Sequence, residues 1–150
     1  MDLILWRHAE AKDPEGPVPD AERELTSRGK RNAEKVAEWL RAQPLRNVTV
    51  LSSPTKRALQ TAQCLGLPVK VKNQLGVGAS TADLLGAVGW PDYSGAVIVV
   101  SHQPVLGRLA SLLLAGTEAD WTIKKGGIWW FTNRVRQDET QTVLRAVHCP

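Results

Sequence analysis

Cysteine, tyrosine and phenylalanine are nearly missing from this chain: two, one and one in 150 residues. Cys64 falls in a helical, apolar pattern and Cys149 is next to last, which argues against a structural disulfide. Without C-x-x-C spacing the pair makes no zinc site either. No apolar run approaches the ~20 residues of a membrane span. The start, Met1-Asp2-Leu3, has no basic segment and too short an apolar run for a secretory signal, so a reduced, cytoplasmic home is the expectation. Phosphate-binding loops of the Gly-x-x-x-x-Gly-Lys and Gly-x-Gly-x-x-Gly kinds are absent, as is a paired acidic motif for magnesium. That disfavours a nucleotide- or metal-dependent activity, and no cofactor is expected. Repeats, low-complexity tracts and linkers are absent as well. A chain of this length is read as one domain, residues 1–150, long enough to bury its own core.

Charge is unbalanced only slightly. Nineteen Lys and Arg against 15 Asp and Glu give a formal +4, which favours anionic partners without choosing among them. Cations alternate with acids along residues 27–41, so no continuous basic stripe points to nucleic acid.

What the chain does contain is an alternation of strands and helices. Residues 3–6, 48–51 and 96–100 are runs rich in branched aliphatics that do not alternate with polar residues, as strands buried on both faces do. Helices are predicted over 26–43, with Thr26 as cap, over 54–65 with proline in the first turn, and over 104–115, ending before Gly116. A weaker helix over 79–88 is interrupted by Gly86. Residues 69–71 fit a short strand, and 127–133 with 140–147 an antiparallel hairpin at one edge. The prediction is an α/β three-layer sandwich with a mostly parallel central sheet. Residues 14–19, with three prolines and a glycine, form a surface loop.

The unusual residues fall where these strands stop. The first strand runs into Arg7-His8, the second into Ser52-Ser53-Pro54 with Arg57 close behind, and the one over 96–100 into Ser101-His102. Taken singly, each has an ordinary reading as a solvated pair, a helix cap or a surface cation. The carboxyl ends of parallel strands form one rim, however, and ligands of open α/β sheets bind there. Two guanidiniums supply forks of donors matched to phosphate. Helix N-termini near Pro54 and Pro104 add N–H groups, and a neutral imidazole can attack a phosphoryl group. His148, beside the C-terminus, is read as structural or exposed. Of six tryptophans, only Trp90 and Trp121, in loops, are considered for partner contact.

Four segments in order resemble the histidine phosphatase superfamily, the phosphoglycerate-mutase-like fold. They are "LILWRHAEA" (3–11), "RELTSRGKRNAEKVAEWL" (23–40), "VLSSPTKRALQTA" (50–62) and "VIVVSHQPVLGRL" (97–109). The short chain and the Ser-His-x-Pro-x-x-Gly segment are similar to the SixA-type branch, small phosphohistidine phosphatases without long lid insertions. The resemblance implies His8 as nucleophile, Arg7 and Arg57 clamping the phosphoryl oxygens, and His102 hydrogen-bonding the same group. Arg23 matches a pocket-lining, substrate-binding position.

Two departures matter. Ala9 replaces the motif's glycine, which is tolerable if φ there stays negative. The larger members' glutamate after the third strand has no counterpart in "NQLGVGAS" (73–80), and the next acid is Asp83. An imidazole leaves more readily than an alkoxide, because its pKa is near ~6.5. The expected substrate is therefore a phosphohistidine of a partner protein, such as a phosphorelay domain, with a small phosphoester as the rival. A phosphoprotein-binding module without turnover is the alternative of another class. Entry of Asp83 or Glu10 into the pocket would weaken the argument from the missing acid.

Overall fold

The structure, a computed structural model, describes residues 1–150. In chain order the elements are β1 (Asp2–Arg7), α1 (Ser27–Arg41), β2 (Val48–Ser52), α2 (Lys56–Gln63), β3 (Val69–Val71), α3 (Thr81–Val88), β4 (Ala96–Ser101), α4 (Val105–Ala115), β5 (Ile128–Arg136) and β6 (Glu139–His148). The six strands form one sheet in the order β3-β2-β4-β1-β5-β6. β3, β2, β4 and β1 run parallel, and the hairpin of β5 and β6 closes the edge with β5 antiparallel to β1.

The non-alternating strands are buried on both faces, as their composition requires. Leu3 and Leu5 point into one core with Phe131, Leu84 of α3 and Leu106 and Leu109 of α4. Ile4 and Trp6 point into the other, with Trp130, Val36 and Leu40 of α1 and Ala58 and Ala62 of α2. Two helices on each face make the predicted three layers. Each of the larger aliphatic and phenyl side chains, fully withdrawn from water, contributes about 1.5–3 kcal/mol.

Helix ends follow local chemistry. Thr26 caps α1 by accepting the Gly29 N–H at 2.9 Å. Gly29 is also where α1 meets the chain after β1, because a Cβ there would overlap the Glu10 carbonyl. α3 runs through Gly86 without a break, held at its start by a capping box between Ser80 and Asp83. The expected interruption does not occur because the cap and the burial of Leu84 and Val88 outweigh one glycine's propensity. α2 begins at Lys56 after Thr55, so Pro54 precedes the helix instead of opening it. Trp90 packs against the core beside α3, and Trp121 packs beside Trp129 with ring centroids 6.0 Å apart. Both rings are partly buried, each with one side on the core. His148 stacks on Trp39 at 4.4 Å. Both cysteines are free thiols, and no helix is long and apolar enough to cross a membrane.

Candidate active site

Register builds the site. β1 and β4 are adjacent, with Arg7 opposite Ser101, and the His8 N–H donates to the Ser101 carbonyl at 3.2 Å. His8 and His102 therefore leave neighbouring strands side by side, their rings 5.2 Å apart. β2 flanks β4 on the other side, and the Ser53 N–H donates to the Val100 carbonyl at 2.9 Å. That brings the Ser53 hydroxyl to 2.8 Å from His102 Nε2, with Thr55 Oγ1 at 3.4 Å. Arg57, in the first turn of α2, is only 4% exposed. Arg7 donates from Nη1 to the Ile123 carbonyl at 2.9 Å. The Nε–H groups of both arginines are buried without a partner. Arg7, His8, Arg23, Arg57 and His102 all line one cavity of about 230 Å3 at this rim.

The His8 tautomer is fixed by its neighbour. Nδ1 lies 2.8 Å from the Ala9 carbonyl, which can only accept, so Nδ1 carries the hydrogen and the Nε2 lone pair is left free. Burial pushes the His8 pKa down to about 4, against the pull of the Ala9 carbonyl and with the charges of Arg57, Arg7 and Arg23 adding to the fall. Burial, helped by His8 and Arg57, takes His102 down to about 3. Both rings are neutral at pH 7. Ala9 has no positive φ, so the glycine-to-alanine departure costs no backbone strain. Its N–H donates to Thr61 Oγ1 at 3.1 Å, and Thr61 Oγ1 donates to the Arg57 carbonyl at 2.8 Å. One buried hydroxyl thus ties the His8 turn to the helix that carries Arg57.

The two acids considered from the sequence stay out of the cavity. Glu10 Oε1 accepts the Thr26 hydroxyl at 2.9 Å. Asp83 Oδ2 accepts the Ser80 N–H at 2.9 Å, and that bond holds its carboxyl below the usual range. Arg23 reaches the cavity, but its fork is engaged: Nε donates to Asp20 Oδ1 at 3.0 Å and Nη1 to the Lys12 carbonyl at 2.6 Å.

Sequence reasoning passed over Asp13, Gln103 and Lys125, which also line the cavity, and Asp20, which holds two of its arginines. Gln103 stands inside a segment quoted for the resemblance. Asp13 and Lys125 lie in loops with no periodicity to mark them. Lys125 arrives only because β5 runs antiparallel to β1 and so begins at the rim where β1 ends.

A neutral nucleophilic nitrogen, guanidiniums around it and a second imidazole beside it make an α/β site suited to transferring a phosphoryl group through histidine. Comparison with known proteins agrees. Residues 3–76 match the model of the histidine phosphatase superfamily, branch 1. The phosphohistidine phosphatase SixA of Escherichia coli is 32% identical over 126 residues, 77% of this chain and 76% of that protein. An uncharacterised protein of Picosynechococcus is 33% identical over 138 residues, 85% of this chain and 82% of its own length. The structure of a protein histidine phosphatase SixA complexed with tungstate superposes with a TM-score of 0.79 at 25% identity, covering 99% of this chain and 97% of that one. The chain belongs to the histidine phosphatase superfamily and is of SixA type. It is a phosphatase.

Proposed function

We propose that the protein removes the phosphoryl group from phosphohistidine on a partner protein, in two steps through a phospho-His8 intermediate and without a metal ion. The observation that carries this is the free Nε2 of neutral His8 inside a cationic cavity. Nε2 attacks phosphorus, the bond from phosphorus to the substrate imidazole breaks, and that imidazole leaves with a proton from solvent. Water then attacks phospho-His8 and releases inorganic phosphate, restoring the neutral ring. Arg7 and Arg57 neutralise the charge spread over the phosphoryl oxygens, and His102 hydrogen-bonds the same group. Glu10 and Asp83, engaged elsewhere, do not protonate the leaving group, which favours nitrogen over alkoxide. The open rim, with Val77 63% exposed at the cavity mouth, suits a substrate presented on a protein surface.

A second reading rests on Asp13, the one carboxylate lining the cavity. If Asp13 protonates an alkoxide, the enzyme is a broad phosphomonoesterase. The deciding experiment supplies a chemically phosphorylated histidine peptide and a phosphoserine peptide, with chelator present and His8→Ala alongside. Release from phosphohistidine alone, lost in the variant, supports the proposal. Equal release from both, reduced for phosphoserine in Asp13→Asn, moves the protein to the second reading. Capture of phosphate without turnover leaves a binding module and overturns both.

A further inference from the structure

Asp20 stands outside the four family-like segments, opens an exposed 3-10 turn, and yet makes more contacts to the site's cations than any other acid. Its backbone carbonyl accepts Arg57 Nη1 at 2.8 Å and its Oδ2 accepts Nη2 at 3.1 Å. Its other oxygen, Oδ1, accepts Arg23 Nε at 3.0 Å and lies 2.9 Å from Arg23 Nη2. One residue therefore grips both terminal nitrogens of Arg57 and bridges to Arg23, and residues Asp20–Glu22 form a short 3-10 turn that fixes its own backbone.

We propose that Asp20 is a positioning residue, which sets the plane of the Arg57 guanidinium and tethers Arg23 beside it so that the cavity meets an oxyanion with a preformed pair of cations. The inference rests on the reading of this cavity as a phosphoryl site. Arg57 has five N–H hydrogens, and Asp20 takes one from each terminal nitrogen, leaving the second hydrogen of each for a ligand. Without that grip the arginine keeps its charge but loses its fixed fork, and a flexible cation binds an oxyanion less well because ordering it then falls on the binding step. The same contacts pin the proline-containing loop of residues 14–19 to α2. An alternative role has the opposite sign: a carboxylate that competes with the phosphoryl group for Arg57 would weaken binding, and removing it would tighten binding.

The test is calorimetric binding of tungstate to the wild-type protein and to Asp20→Ala, Asp20→Asn and Asp20→Glu, with thermal melts to check folding and kcat and KM measured separately. The expected result is tungstate binding roughly tenfold weaker in Asp20→Ala, the loss of the charge-assisted side-chain bonds to Arg57 and Arg23, with part of it recovered in Asp20→Glu. KM should rise more than kcat falls. Combining Asp20→Ala with Arg57→Ala should cost clearly less than the sum of the two, since Asp20 acts in part through Arg57 and only its hold on Arg23 remains to be lost. Unchanged or tighter tungstate binding in a folded Asp20→Ala protein overturns the positioning role, as does full additivity of the two substitutions. Wild-type protein that binds no tungstate overturns the oxyanion site itself, whatever Asp20 does.

Discussion

Lowering the pH from 7 to 5 should destabilise this protein through its two site histidines. Folded, His8 and His102 have pKa values of about 4 and about 3; unfolded, both return to ~6.5. Between those values the unfolded chain binds protons that the folded chain refuses. Stability is therefore full above pH 6.5 and falls as the pH drops toward the folded values. Integrated from pH 7 to 5, each imidazole costs about 1.8 kcal/mol, and with screening at the partly exposed His8 the pair costs roughly 2–4 kcal/mol. For a chain of this size that lowers Tm by on the order of 10 °C. Carboxylates contribute little above pH 5, so the window isolates the imidazoles. Urea unfolding at the two pH values, with the double variant His8→Gln/His102→Gln, measures the effect. The variant should flatten the pH dependence. Equal wild-type stability at both values, or a fall that persists in the double variant, refutes the reasoning.

Other consequences follow from single contacts. Thr61→Val keeps the shape of a fully buried side chain but leaves the Ala9 N–H without its acceptor; a loss of about 1–3 kcal/mol is expected in urea unfolding, with kcat reduced because the His8 turn is no longer tied to α2. Gly107→Ala places a methyl group onto the Trp121 carbonyl, which also accepts from Gln103. It should displace the 121–125 segment that holds Arg7 through Ile123, weakening tungstate binding together with Tm. Asp83→Asn loosens the α3 capping box and should lower Tm slightly while leaving turnover unchanged; a large fall in turnover would bring Asp83 back as an acid.

Strand ends were the most legible part of the sequence. Non-alternating runs such as residues 96–100 mark doubly buried parallel strands, and such strands must end on one rim, so His8 and His102 could be brought together despite their separation. Helix boundaries were less clear: Pro54 reads as a first-turn residue, but Thr55 sits at the cap and pushes the start of α2 onward. Gly86 reads as a break because propensity is local, whereas the packing of Leu84 and Val88 is not. Asp20 was illegible for a similar reason. Its partner Arg57 is 37 positions away, and the loop between carries no periodicity to show that the two ends meet. Arg23 could be placed at the pocket from its motif, but not the engagement of its fork by Asp20 and Lys12.

The most direct test of the account is to trap the intermediate. The enzyme would be mixed for milliseconds with a phosphohistidine peptide labelled on phosphorus, quenched in alkali, and digested to locate the label. An acid-labile, alkali-stable phosphoryl group is expected on the peptide containing His8, and none in His8→Ala. Full turnover with no protein-bound phosphate, or a label on any other residue, would contradict it.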